Sequence, residues 1–303
     1  MAIAGFFVFG LIFGSFLNVC IYRMPRGLSV VRPRSACPAC NSTIAGYDNI
    51  PVLSWLLLGG KCRKCKARIS PRYAAVELLT GGLFVVSYYV SLTSIEPLVY
   101  SIKLCVLSFL LVGLVFTDAE TRLLPDLLTW PGIFLGLLFS IFVDFDPNGL
   151  AQALLGRDLD WRLLSFINSL AGAIFGAAFI LGVAFLYQAL RGVEGMGMGD
   201  AKLMALIGAF LGIKLTLVVL LLATLTGSLF GMLLMLIVWR KRIARRKKRS
   251  SEPARVVRSK AWHSAKLIFR NFEIPFGVFL GVAAAFAAFL GTPLVQWYLS
   301  LYQ

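Results

Sequence analysis

Residues 195–240 read GMGMGDAKLMALIGAFLGIKLTLVVLLLATLTGSLFGMLLMLIVWR. Beyond Asp200 and Lys202 the stretch is uncharged over 203–213 and 215–239, with only Lys214 between. A spanning helix needs about 20 apolar residues, so 203–239 is too long for one helix, and Gly212-Ile213-Lys214 is where it breaks. Other uncharged runs occupy 2–22, 78–95, 104–117, 127–143, 163–190 and 274–303. The run at 104–117 reaches spanning length only with 97–103, and Lys103 can snorkel outward. The pattern predicts an all-α polytopic membrane protein of about eight transmembrane helices. A chain that is 59% hydrophobic and 15% charged, with a mean hydropathy of +0.83, is too apolar for an ordinary soluble domain.

Charge orients the bundle. With the first helix running inward, ten Lys/Arg in 23–75 and thirteen in 240–270 fall inside, together with Arg122, Arg191 and Lys202. Only Lys103, Arg157, Arg162 and Lys214 fall elsewhere, while 144–162 carries Asp144, Asp146, Asp158 and Asp160. The positive-inside rule then puts the N-terminus outside and both Asp118 and Asp200 at the cytoplasmic face. No basic residue precedes the first apolar run and no small-residue cleavage site follows it, so 1–22 is expected to be a retained helix.

Asp118 closes one apolar run and Asp200 opens another, and a carboxylate beside hydrocarbon is costly unless it has a role. Two carboxylates held together do not both ionise easily, which supplies an acid and a base at one place. Gly197 and Gly199 allow close backbone approach before Asp200. Asp126 follows Pro125 and is expected to cap the next helix; it is the second-choice acid. Glu77, near Arg72 at the start of the second helix, is expected to stabilise a helix N-terminus.

Cys37-Pro38-Ala39-Cys40 and Cys62-Arg63-Lys64-Cys65 form a C-x2-C, x21, C-x2-C pattern, close to the spacing of a four-thiolate zinc ribbon. Two disulfides or free thiols are the alternatives, and a reducing compartment disfavours the disulfides. Cys20 and Cys105 lie in apolar runs as small hydrophobes. The basic tract 240–249 follows a helix directly and lacks the interleaved aromatics of a single-strand platform, so it is read as a partner for anionic lipid and not for nucleic acid. His263 is the sole histidine, which leaves no multi-histidine catalytic metal site and no secure Ser/His triad; it is expected at the surface.

These residues resemble the type IV prepilin peptidases. The likeness runs through Gly14-Ser15-Phe16-Leu17-Asn18-Val19, Tyr22-Arg23, the four cysteines, Asp48 to Trp55, Gly60-Lys61-Cys62 and Ile69 to Tyr73. It continues through Asp118, Leu124 to Thr129, Gly197-Met198-Gly199-Asp200 and Lys202-Leu203. The resemblance implies a bifunctional enzyme of the bacterial inner membrane that cleaves leaders from type IV prepilins and type II secretion pseudopilins, then methylates the new N-terminus. It implies Asp118 and Asp200 as the catalytic pair, S-adenosylmethionine as methyl donor, and Gly60 and Lys61 as positions linked to methylation. No glycine-rich nucleotide motif on a strand is visible, so the methyl-transfer half rests on resemblance alone. Met198 stands where an aromatic is common in the family, and 240–270 is long for it.

The organisation expected is a first helix over 1–22, a cytoplasmic zinc-binding loop over 23–75, and a peptidase bundle over 76–303 that includes the basic loop 240–270. The rival is an ion-coupled transporter using Asp118 and Asp200 as carriers, which would favour paired repeats with broken helices near the midplane. A zinc-ribbon membrane scaffold without catalysis is a third reading.

Overall fold

The computed structural model describes residues 1–143, 159–192, 197–247, 253–270 and 275–301. Its helices are α1 (Ala2–Arg23), α2 (Leu53–Leu57), α3 (Arg72–Ser91), α4 (Pro97–Thr121), α5 (Asp126–Phe142), α6 (Trp161–Arg191), α7 (Met198–Lys247), α8 (Ala254–Arg270), α9 (Phe276–Phe286) and α10 (Thr292–Ser300), the last two joined through a π turn at Ala287–Gly291. Among the described residues there is no strand, only the isolated bridges Ala36–Thr43 and Lys61–Arg68. Among the described residues six helical segments are long and apolar enough to cross a membrane, and α5 is a shorter apolar helix. One of the six, α7, is broken at Gly212, as the sequence predicts.

At Gly212 the backbone takes φ 72, ψ 173, a conformation open chiefly to glycine. A Cβ there would lie 2.6 Å from Asn168 Nδ2. The break exposes backbone polar groups where lipid offers no partner. Asn168 Oδ1 accepts from Ile213 N at 3.3 Å, and the Thr216 hydroxyl donates to Gly212 O at 2.6 Å. The contacts on either side show that the chain reverses there. Before the break, Leu206 meets Gly132 and Phe210 meets Gly136, so α7 runs parallel to α5. After it, Leu215 meets Gly291 while Gly227 faces Phe276 and Phe279, so α7 runs antiparallel to α9. Since α9 and α5 each oppose α4, through Gly277–Asp118 and Gly113–Leu128, the two parts of α7 are antiparallel.

Small residues set the closest seams. On α6, Gly172 packs against Gly208 and Gly176 against Met204, so close that a Cβ at Gly208 would sit 2.1 Å from Gly172 O. On α1, Gly10 meets Gly81 and Gly14 meets Glu77 in the same antiparallel register that brings Asn18 Nδ2 to Tyr73 O at 3.0 Å. Between these pairs lies one apolar core of Leu104, Leu107 and Leu111 from α4 with Leu203, Leu206 and Phe210 from α7.

Three expectations change. Lys103 does not snorkel: it is 1% exposed, enclosed within the bundle. The basic segment 240–270 is not a plain loop, because α7 continues to Lys247 and α8 folds onto it. There Trp239 and Trp262 meet edge to face, Arg246 donates to the Ser264 hydroxyl, and Val257, Ala261 and Ala265 are buried. Glu77 lies in the second turn of α3, not at its start. Its buried carboxylate accepts from Val52 N at 2.7 Å, fastening the cysteine loop to the bundle. His263 is exposed and Cys20 and Cys105 are buried, as expected.

Two helices overrun the others. Asp200 is level with about residue 180 of α6, judged from the Gly176–Met204 contact. The rest of α6, to Arg191, extends roughly 16 Å farther at 1.5 Å per residue and exposes Phe185, Leu186 and Leu190. The second part of α7 likewise passes the level of Asp118 near Gly227 and exposes Leu229, Met232, Leu233 and Leu236.

Candidate active site and metal centre

Asp118 occupies the last turn of α4, which ends where Arg122 turns left-handed (φ 56) and its N–H closes on Asp118 O. The side chain is buried, and Oδ2 accepts from Val278 N at 3.0 Å. That donor is in the first turn of α9, where unpaired N–H groups give a helix end its partial positive charge. Room for the carboxylate depends on Gly277, whose added Cβ would stand 2.8 Å from Oδ2.

Asp200 is the third residue of α7, and its N–H meets Gly197 O at 3.2 Å. Leu124 links it to Asp118: that side chain is 3.2 Å from the Cβ position of Gly199 and 3.4 Å from that of Gly277, which itself stands 2.8 Å from Asp118 Oδ2. Gly199 packs closely on the next segment: a Cβ there would meet Leu124 at 3.2 Å. Gly197 is different, with no atom nearer than 3.9 Å to its Cβ position and no left-handed φ. Gly195 and Met196 lie outside the described residues. Met198 is exposed.

Asp126 sits beside the pair, not in its expected cap. Pro125 is the N-cap of α5, Asp126 is the first helical residue, and its carboxylate binds Lys202 Nζ at 2.6 Å. Acid in a first turn still suits the helix dipole.

The cysteine loop is built from one unit used twice. Cys37 N donates to Ser42 O, Asn41 N to Cys37 O and Ile44 N to Ser35 O; Cys62 N donates to Ala67 O, Lys66 N to Cys62 O and Ile69 N to Gly60 O. Asn41 and Lys66 both have positive φ (53 and 59). Segments 35–44 and 60–69 therefore form matching knuckles. The sulfurs of Cys37, Cys40, Cys62 and Cys65 all lie within 4.8 Å of one another, Cys37 and Cys65 at 3.8 Å, and none is in a disulfide. Tetrahedral zinc with Zn–S of about 2.3 Å needs sulfurs about 3.8 Å apart, so the donor set fits a closed structural site.

Gly60 opens the second knuckle with φ 63, and its Cβ would press on the Trp55 indole at 3.0 Å. Trp55 Nε1 donates to Ile69 O at 3.2 Å. Gly60 is thus shaped by the fold, while Lys61 beside it is exposed. Arg63 clamps Asp48 at 2.6 Å and holds that carboxyl below its usual range. Arg72 pairs with Glu120, two residues past Asp118, so loop and bundle share a second tie.

Sequence reading missed Gly277 and Val278, the Lys202–Asp126 pair, the packing of Trp55 on Gly60, and Asn168. A usable signal existed for the knuckles, since 35–44 and 60–69 share a Cys-x2-Cys followed two residues later by a short side chain and then an isoleucine at the end. Pro275-Phe276-Gly277 also marks a helix start with a glycine in its first turn.

The described residues form a polytopic helical bundle with a carboxylate at the end of α4, another at the start of α7, and a separate cluster of four cysteines with the spacing of a metal-ligand set. Residues 8–91 match the family described as Bacterial Peptidase A24 N-terminal domain, and residues 105–232 match the Type IV leader peptidase family. The chain is 35% identical to the prepilin leader peptidase/N-methyltransferase of Aeromonas salmonicida, over 97% of this chain and 92% of the relative. It is 41% identical to the protein of that name from Klebsiella pneumoniae (68% and 83%) and 31% identical to that from Pseudomonas aeruginosa (96% and 91%). No solved structure matches. The chain belongs to the type IV leader peptidase family. These relatives give no support to the transporter reading.

Proposed function

We propose that this protein is a membrane peptidase that removes the leader of prepilins and pseudopilins and then N-methylates the new terminus, with Asp118 and Asp200 as the hydrolytic pair. The observation that supports the reading is that Asp118 at the end of α4 and Asp200 at the start of α7 each lie next to a glycine packed on Leu124. One carboxylate takes a proton from a water as its oxygen attacks the scissile carbonyl. The other, protonated, donates to the carbonyl oxygen; collapse of the tetrahedral intermediate then breaks the C–N bond, and the amine leaves with a proton. Gly199 and Gly277 act by leaving room, and Val278 N–H by orienting Asp118.

Cys37, Cys40, Cys62 and Cys65 hold structural zinc, which closes the two knuckles. S-adenosylmethionine supplies the methyl group. Of the Gly60–Lys61 pair, Lys61 is the side chain open to a ligand, whereas Gly60 serves the fold beneath Trp55. The protein lies in the bacterial inner membrane with its chemistry on the cytoplasmic side, and the basic segment 240–270 meets anionic lipid. Incubation of the purified protein with a prepilin, followed by mass spectrometry, tests the reading. Cleavage after the glycine that ends the leader supports it; intact substrate with ion flux in liposomes refutes it.

A further inference from the structure

We propose that the Lys202–Asp126 ion pair is a positioning device that holds Asp200 in register with Asp118; the proposal rests on the peptidase reading above. Lys202 Nζ lies 2.6 Å from Asp126 Oδ1 and 5.9 Å from the centre of the Trp130 ring. The pair closes a ring of structure. From Asp118 the chain passes through the turn 122–125 to Asp126, crosses by the ion pair to Lys202, and returns within two residues to Asp200.

Helical geometry shows what the tie controls. Gly199, Lys202 and Leu206 share one face of α7, at positions i, i+3 and i+7. That face lies on Leu124, Asp126 and Gly132. Asp200 is one residue on from Gly199, turned about 100° around the same axis. Any rotation or slip of this helix start along α5 carries Asp200 with it. Contacts of Gly199 with Leu124 and of Leu206 with Gly132 are apolar and carry no directional bond, whereas a charged pair at 2.6 Å fixes register. The partners are 25% and 60% exposed, and a pair so open to water adds little to global stability. Its loss should therefore register in the rate before it registers in unfolding.

The test uses the full chain with a prepilin, comparing Asp126→Asn, Lys202→Met, the double variant, Asp126→Glu and Lys202→Arg. Each of the first two should lower kcat about 10-fold with KM unchanged, as expected for a sub-ångström misplacement. The double variant should be no slower than either single change, the charge-preserving variants should recover most of the rate, and melting temperatures should hold. Additive losses, an unchanged rate, or an Asp126→Asn variant as inactive as Asp118→Asn would overturn the proposal, the last by making Asp126 itself catalytic. Backbone hydrogen exchange over 198–204 needs no substrate. It should quicken in both single variants and not in Lys202→Arg, and unchanged exchange would overturn the tie. A silent wild-type enzyme with the expected exchange pattern would count against the peptidase reading alone.

Discussion

Replacing Gly277 with alanine puts a methyl group against the Asp118 carboxylate. The new Cβ would stand 2.8 Å from Oδ2, 3.0 Å from Cγ and 3.4 Å from Leu124 Cδ1. The first two distances are inside ordinary contact and Leu124 leaves the new methyl group little room on its other side, so the carboxylate must recede by at least about 0.5 Å, given a carbon–heavy-atom optimum near 3.5 Å. That movement lengthens the hydrogen bond from Val278 N to Oδ2 beyond its present 3.0 Å. A misplacement of 1 Å can cost about 100-fold in rate, so half of it should cost about 10-fold, roughly 1.4 kcal/mol of barrier. Single-turnover cleavage of a prepilin, followed by mass spectrometry, measures it, with Gly227→Ala as control. Gly227 has nothing nearer than 3.7 Å and its variant should cleave normally. A folded Gly277→Ala enzyme with the wild-type rate would refute the claim that this glycine seats Asp118.

The remaining predictions concern both centres and one seam. Asp118→Asn and Asp200→Asn should each abolish cleavage while insertion into the membrane is retained, because an amide cannot exchange the required proton; near-normal cleavage by either would remove it from the pair. Purified protein should carry one zinc per chain, and serine at Cys37, Cys40, Cys62 or Cys65 should lower zinc content and thermal stability together, read by metal analysis and melting. Lys61→Ala should reduce methylation of a pre-cleaved pilin and spare leader removal, whereas Gly60→Ala, strained at φ 63 and pressed on Trp55, should lower zinc content as well. Gly208→Ala must push α7 off α6, because its Cβ would fall 2.1 Å from Gly172 O; overpacking of about 3 kcal/mol or more should appear as a lower melting temperature.

The apolar runs predicted the helices because a polytopic chain states its spans in composition, and the break in α7 was readable since 203–239 exceeds one span and contains a glycine. The four cysteine sulfurs also cluster as their spacing predicts. What stayed hidden has a common physical cause. In helices apolar all round, periodicity does not say which face packs, so the seams at Gly172–Gly208 and Gly10–Gly81 and the burial of Lys103 left no readable stripe. Val278 contributes a backbone N–H, which every residue except proline has, and its meaning arises only when α9 lies against α4. Asn168 lies with Ser165 and Ser169 in a long uncharged run, and only the reversal at Gly212 brings it the Ile213 N–H that it accepts.

The overrun of α6 and of the second part of α7 has a consequence for the lipid around them. On one flank Arg72, Glu120 and Arg122 stand near the level of Asp118 and need water or headgroups. On the opposite flank exposed leucines and phenylalanine continue about 16 Å past the level of Asp200, at 1.5 Å per residue, and need acyl chains. A flat leaflet would leave one of these surfaces in the wrong medium, and a bilayer that followed both would form a step, thinner beside the cysteine loop than beside α6. Asp118 and Asp200 would then lie at the foot of that step, with hydrocarbon on one side and water on the other.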